Sequence, residues 1–347
     1  MKNANNLITF RDIFGPELTK EDALALIRCD VASYNTFLSF PKDKQADFLE
    51  YFCGRKSMYI TYDNVFKKIF SPEDEKKRLS QFLSVVLGFP VKVLRELPRE
   101  GTQIVDKGSL VIMDIVLETM NGSIIDVEMQ KIGYLFPGER SDCYIADSIM
   151  RQYNRSREEY GEKFTYDKMK PSYLIIIMEQ SPAVFTNAYP EYMHIKQHRF
   201  NTGIELVSLD NIRYISLDTF NTVMHNKNIS NDLEAWLTLL SSSEVEKIEE
   251  LINYNPEFID IYRELAAFRK TPTEVIGMFS EALAQLDRNT ELYMIDIMKE
   301  EIEGLKAELN VSIAEKDASI AEKDASIANL EAQNKALLEE LSKYRNI

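Results

Sequence analysis

The chain has 347 residues, 45% of them apolar and 28% charged, the balance of a globular protein with room for one sizeable α/β core plus additions, or for two domains. Its net charge of −15 excludes a broadly basic nucleic-acid-binding surface, so a DNA partner requires a local basic face. No apolar run nears the roughly 20 residues needed to span a bilayer, no signal-peptide pattern opens the chain, and the isolated Cys29, Cys53 and Cys143 offer neither a disulfide framework nor zinc spacing, so no membrane and a reducing cytoplasm are expected.

Residues 1–57 read as a helical appendage. Thr19-Lys-Glu-Asp22 resembles a capping box ahead of Ala23, Leu24, Leu26 and Ile27, and Pro41 opens a second helix through Phe48, Leu49 and Phe52. A short helix follows around Asp63, with Phe66 and Phe70 four apart on one side; Asp63 is a candidate N-cap there. Ser71-Pro72-Glu-Asp74 begins a longer amphipathic helix to about Leu87, ended by Gly88. Val91–Leu97 is a candidate strand, and Arg99–Gly108 a polar connection.

Leu110 to Lys131 is a hairpin pattern, with two apolar, β-branched runs flanking Asn121-Gly122. A two-residue turn sets Asp114 opposite Met129. A three-residue loop, Met120-Asn121-Gly122 with Gly122 left-handed, sets Thr119 opposite Ser123 and Asp114 opposite Glu128. The second register divides the side chains cleanly and is the one expected. Ile112, Asp114, Val116 and Glu118 then share a face with Ile124, Asp126, Glu128 and Gln130, while Val111, Met113, Ile115, Leu117, Ile125, Val127 and Met129 form an apolar reverse face. Like charges directly opposite repel and raise each other's pKa, which a hard divalent cation relieves; a solvated outer face is the alternative reading.

Pro137-Gly138 opens a helix to about Tyr160 bearing Arg140, Arg151, Arg155 and Arg157. Arg151 and Arg155 share a face, suited either to phosphate or to ion pairs with Asp147, Glu158 and Glu159. Residues 131–200 hold 10 bases against 9 acids, so a local basic face has room there. Tyr173–Met178 is a buried strand, and Ile204–Leu209 and Ile212–Leu217 are further strands around an Asp210-Asn211 turn. His194 and His198 have a metal-compatible helical spacing but no third ligand, so they read as ordinary histidines, and each cysteine as a buried small hydrophobe. No Ser-His-Asp arrangement, Gly-x-Gly-x-x-Gly or P-loop occurs, and no nucleotide cofactor is expected.

Helices resume at Asp232, with Trp236 in their core. Beyond them Ile295, Met298, Ile302, Leu305 and Leu309 step by threes and fours, and Ser-Ile-Ala-Glu-Lys-Asp-Ala occurs at 312–318 and again at 319–325. A seven-residue repeat specifies a left-handed coiled coil. With Ile313, Ile320 and Ile327 at a, the seam continues through Leu330, Asn334, Leu337, Leu341 and Tyr344; Lys316 and Lys323 weaken its d positions, and Asn334 favours a parallel dimer.

Asp114, followed one hairpin later by Glu128-Met129-Gln130, resembles the PD-(D/E)xK nuclease core, where an Asp and a Glu on adjacent strands hold the metal and a Lys follows two residues after the Glu. Taken in order, Thr61-Tyr-Asp63-Asn-Val-Phe66-Lys67-Lys-Ile-Phe70, Asp126-Val-Glu128-Met-Gln130, Arg140 with Tyr144, and Lys170-Pro-Ser-Tyr-Leu-Ile-Ile-Ile-Met178 are similar to the PD-(D/E)xK nuclease family transposases, also called recombination-promoting nucleases, over about residues 58–240. The resemblance implies a restriction-endonuclease-like α/β core, a mixed sheet flanked by helices, spanning residues 58–225 between the helical appendage at 1–57, a helical extension at 226–290 and the coiled coil at 291–347. It also implies DNA as substrate and Mg²⁺, or Mn²⁺, held by Asp114, Glu128 and the backbone carbonyl of Met129. Gln130 then orients water, Asp63 assists from its helix, and Arg140, Arg151 and Arg155 contact the nucleic acid. Two positions depart from the general motif. Met113 stands where Pro is usual, and Gln130 replaces the Lys and supplies no charge. A non-catalytic, oligomeric nucleic-acid- or protein-binding module is the competing account.

Overall fold

A computed structural model of the protein describes residues 8–71, 75–98, 114–133 and 137–345. Four helices lead: α1 (Phe10–Phe14), α2 (Lys20–Arg28), α3 (Val31–Ser39) and α4 (Lys42–Phe52). The first three start where a short polar side chain, Thr9, Thr19 or Asp30, accepts a first-turn N–H, and α4 follows Pro41. Then come α5 (Asp63–Ile69) and α6 (Lys76–Leu87). Tyr62 is the N-cap of α5, so Asp63 is its first helical residue rather than its cap. The next helix begins at Lys76, after the expected Ser71 start; Pro72–Asp74 lie outside the described residues. Left-handed Gly88 (φ 76°) ends it, and Arg213 donates to its last carbonyl, that of Leu87, at 2.9 Å.

The sheet is built from β1 (Val93–Glu96), β2 (Ile115–Thr119), β3 (Ile124–Ile132), β4 (Ser172–Gln180), β5 (Met193–Ile195) and β6 (Asp210–Ser216), in the order β1-β2-β3-β4-β6-β5. The pairs β1/β2, β2/β3 and β5/β6 are antiparallel, while β3/β4 and β4/β6 are parallel. A parallel neighbour needs a crossover, and α7 (Pro137–Tyr160) supplies it between β3 and β4; the short α8 (Ala183–Thr186) lies between β4 and β5. The expected polar connection Arg99–Gly108 and the hairpin positions Val111, Ile112 and Met113 lie outside the described residues.

Three expectations are corrected here. Ile204–Leu209 is not a strand: Ile204, Leu206 and Val207 are exposed and β6 begins at Asp210, while the missed Met193–Ile195 takes the edge beside it. His194 therefore sits on a strand, and His198 lies 3.1 Å from a carboxylate oxygen of Asp210, so the pair does not share a helix. Of the cysteines, only Cys53 is buried; Cys29 and Cys143 are exposed.

Helices α9 (Leu217–Val223), α10 (Asp232–Ser241), α11 (Val245–Tyr254), α12 (Phe258–Phe268) and α13 (Pro272–Arg345) complete the chain. The reverse face of the sheet, with Ile115, Leu117, Ile125, Val127, Ile175, Ile177 and Ile215, belongs to one core that also takes in α1–α6, α9–α12 and the start of α13 at Val275, Ile276 and Phe279. Trp236 lies within it, against Phe258 at 4.9 Å and Phe82 at 5.6 Å between ring centroids. Arg269, just past α12, ties the leading helices to this core by donating to the carbonyls of Phe52 at 3.0 Å and Phe14 at 2.6 Å. Left-handed Gly54 makes room for it, since a Cβ there would meet the guanidinium at 2.6 Å. The opposite face, with Val116, Ile124, Leu174, Ile176, Met178 and Ile212, packs on Tyr144 and Ile145 of α7.

The chain divides into a unit of residues 1–290 and a second of residues 291–347. In the second, helical throughout its described length, Met298, Ile302, Leu305, Leu309, Ile313, Ile320, Ile327, Leu330, Leu337 and Leu341 are all exposed. Among the described residues no helix is long and apolar enough to cross a membrane.

Candidate active site

The β2–β3 loop decides which carboxylates meet. Thr119 N–H donates to the Ser123 carbonyl at 3.0 Å, and Gly122 N–H to the Thr119 carbonyl at 2.9 Å. Gly122 is left-handed (φ 86°), and Asn121 Oδ1 accepts from Ser123 N–H at 3.1 Å. This is the three-residue loop, and its register runs from Glu118 opposite Ile124 to Ile115 opposite Val127. One step further Asp114 meets Glu128. Each carboxylate holds the other strand's main chain: Asp114 N–H donates to Glu128 Oε1 at 3.1 Å, and Met129 N–H to Asp114 Oδ2 at 2.8 Å.

The acidic face is not solvated, because α7 covers it. Asp126 is 0% exposed, Glu128 7%, Gln130 8% and Glu118 9%. The four acids nevertheless occupy three different environments. At the loop end Glu118 is neutralised by Arg155 at 2.8 Å and Arg95 at 2.7 Å. In the middle neither carboxylate oxygen of Asp126 has a hydrogen-bond partner among the described residues. Burial pushes its pKa well above the usual carboxylate range, the Asp114 and Asp147 charges add to this, and Arg151 opposes it. At the open end burial is again the largest influence on Glu128, followed by repulsion from Asp126 and Asp114; all three raise its pKa, and the Asp114 N–H and Arg140 only partly offset them.

The open end also collects groups from three other elements. Lys67, on α5, places Nζ 3.5 Å from Asp114 Oδ1. Arg140 and Ser141 come from the first turns of α7, and Tyr214 from β6. With Glu128, Gln130, Pro137, Tyr144 and Ile176 they line a cavity of about 10 Å³, room for one water. Ser141 and Tyr214 share a 2.5 Å hydrogen bond, and Arg140 Nη2 donates to the Tyr144 hydroxyl at 2.6 Å. A helix N-terminus favours negative charge, so this end of α7 suits a phosphate oxygen.

The matching family model is that of the PD-(D/E)XK nuclease family transposases, and it covers residues 60–294. The chain belongs to this family. The match reaches past the motifs near the sheet, through α10–α12 and into α13. No match was found among curated proteins or among solved structures.

Family membership makes divalent-metal chemistry the expectation, and the donors present fit it. They are hard oxygens carrying an excess of negative charge, the preference of Mg²⁺. Among the described residues no three His, Cys, Asp or Glu side chains converge on one point, and the crossed pair offers two carboxylates, Asp114 and Glu128. Asp114, Glu128 and Gln130, expected together from the sequence, are together. Asp63 opens α5 one turn before Lys67; its side chain lies outside what is described. Arg140 stands at the site, whereas Arg151 and Arg155 are engaged inside the molecule. Arg151 donates to Asp147 at 2.6 Å and to the Pro98 carbonyl at 2.5 Å, and Arg155 pairs with Glu118 and donates to the Gly122 carbonyl. The face these two share is the one turned to the sheet. Lys67, Ser141 and Tyr214 received no role from the sequence, although the four-residue step from Asp63 to Lys67 places both on one face of α5.

Proposed function

We propose that this protein is a Mg²⁺-dependent DNA endonuclease, with Mn²⁺ an acceptable substitute, acting in the cytoplasm as a dimer joined through residues 291–347. The reading rests above all on the crossed Asp114–Glu128 pair at the open end of the hairpin, within a family of nucleases. Asp114, Glu128 and the Met129 carbonyl are the proposed metal ligands. When bound, the cation supplies a more acidic water and compensates charge on the scissile phosphate.

The chain's own groups do the rest. Main-chain N–H bonds fix one oxygen of each carboxylate, which aims the other without cost at the moment of reaction. Gln130 orients the attacking water or a phosphate oxygen through its amide. Arg140, held against Tyr144, is the proposed phosphate contact at the mouth of α7, and Asp63 assists from the start of α5. Arg151 and Arg155, candidates for contact with nucleic acid by sequence, are assigned the task of holding α7 over the acidic face. In residues 291–347 the exposed Ile and Leu seam is covered by a second copy, with Asn334 setting a parallel register, and a dimer carries two sites, one for each strand of a duplex.

Supercoiled plasmid incubated with the full chain and Mg²⁺ tests this. Nicked or linear product that EDTA suppresses is expected; plasmid left intact at high protein concentration overturns the reading.

A further inference from the structure

The site lacks a lysine where the general PD-(D/E)xK motif has one, and Gln130 cannot carry charge. Among the described residues three cations lie near enough to replace it, and geometry separates them. Lys131 is the neighbour in sequence, but adjacent residues of a strand point to opposite faces. Its ammonium is spent on the other side of the sheet, on Glu179, on the Thr61 hydroxyl at 3.0 Å and over the Tyr62 ring at 4.5 Å. Arg140 lies on the α7 side, its guanidinium bonded to Tyr144. Among the described contacts Lys67 is the one of the three salt-bridged to a member of the carboxylate pair, 3.5 Å from Asp114 Oδ1, while Met129 N–H bonds the other oxygen, Oδ2.

We infer that Lys67, delivered from α5 rather than from β3, is the ammonium of this active site and stands in for the lysine that Gln130 replaces. The assignment rests on the nuclease reading above. The helix makes the substitution sterically possible. Val65, Phe66, Ile69 and Phe70 are fully buried and anchor α5 in the core, while Lys67 faces the end of β2 with its side chain 23% exposed. A buried, two-sided anchor of this kind fixes a long side chain within reach of one target. In the reaction the attacking water oxygen bonds to phosphorus as the bond to the leaving oxygen breaks. The water's proton passes to solvent and a solvent proton ends on the departing oxygen. Lys67 keeps all its protons and contributes positive charge beside the phosphate as negative charge builds.

The test compares plasmid cleavage by wild type, Lys67→Ala, Lys67→Arg and the double variant Lys67→Ala/Gln130→Lys, with thermal melting and Mn²⁺ titration of each. Lys67→Ala is expected to lose about 10²–10³-fold in kcat, the usual effect of deleting one preorganised charge donor, while its melting and Mn²⁺ binding are retained. Lys67→Arg is expected to keep part of the activity, and a lysine at position 130 to restore much of what Lys67→Ala loses. Rescue from a different strand is a result that a merely structural Lys67 does not produce. Cleavage by Lys67→Ala within threefold of wild type overturns the assignment, and so does an inactive Lys67→Ala that lysine at position 130 leaves inactive. An inactive wild type overturns the nuclease reading itself, an outcome distinct from both.

Discussion

Asp126 is shut away from water beneath α7, and Asp126→Asn turns that burial into a measurable slope. The side chain is 0% exposed, neither of its oxygens has a hydrogen-bond partner among the described residues, and burial holds its pKa well above the ordinary value of 3.8. A carboxyl whose pKa is raised on folding retains in the native state a proton that the unfolded chain has released. The stability it contributes is complete below the unfolded pKa and is lost as pH climbs through the folded one. Asparagine fills the same volume and has no proton to lose. The variant and wild type should therefore be close in stability near pH 4 and diverge above it, the variant gaining about 1.4 kcal/mol for each pH unit until Asp126 ionises in the native protein. Glu128 is also raised and is present in both proteins; its contribution is common to them while Asp126 keeps its proton, since only an ionised Asp126 repels it. Urea unfolding in EDTA from pH 4 to 8 measures this, followed by fluorescence of Trp236, the sole tryptophan and a buried one. Parallel stability curves for the two proteins refute the reasoning.

Trp236→Ala empties a ring packed between Phe82 and Phe258 and should cost about 3–5 kcal/mol in urea unfolding, without moving the hairpin. Gly122→Ala meets only ordinary contact, its Cβ 3.4 Å from Lys170 Cγ, so the expense is conformational, about 1–2 kcal/mol for an alanine held at φ 86°. In the helical tail, Ile320→Asp together with Ile327→Asp should convert the dimer to monomer in light scattering, while the circular dichroism and melting of residues 1–290 stay as they were; a monomeric wild type sinks the coiled-coil proposal.

The hairpin was legible because its information is local. Period-two alternation and Asn121-Gly122 specify one register, and that register puts all four acids on one face and leaves the other wholly apolar, so the meeting of Asp114 with Glu128 follows from counting residues. What covers the acids was not legible. Nothing in Leu110–Lys131 says that α7 will lie on that face, and the distinction between a solvated face and a buried cluster is a long-range fact. The same contact decides the arginines: a four-residue step puts Arg151 and Arg155 on one face of a helix, but only the packing reveals that this face meets the sheet. Ile204–Leu209 has the composition of a strand without an edge to pair with, while the three-residue β5, Met193-His194-Ile195, finds one beside β6. Strand formation depends on an available partner more than on propensity. Lys67 was hidden for a different reason, since its partner lies on another element 47 positions along the chain.

The central claim is that Asp114 and Glu128 jointly hold a divalent cation. Mn²⁺ binding to the full chain, counted by electron paramagnetic resonance of free Mn²⁺ and repeated on Asp114→Ala and Glu128→Ala, tests it without relying on turnover. One site per chain in wild type, displaced by Mg²⁺ and lost or greatly weakened in both variants, is the predicted result. Equal Mn²⁺ binding by wild type and both variants contradicts the account.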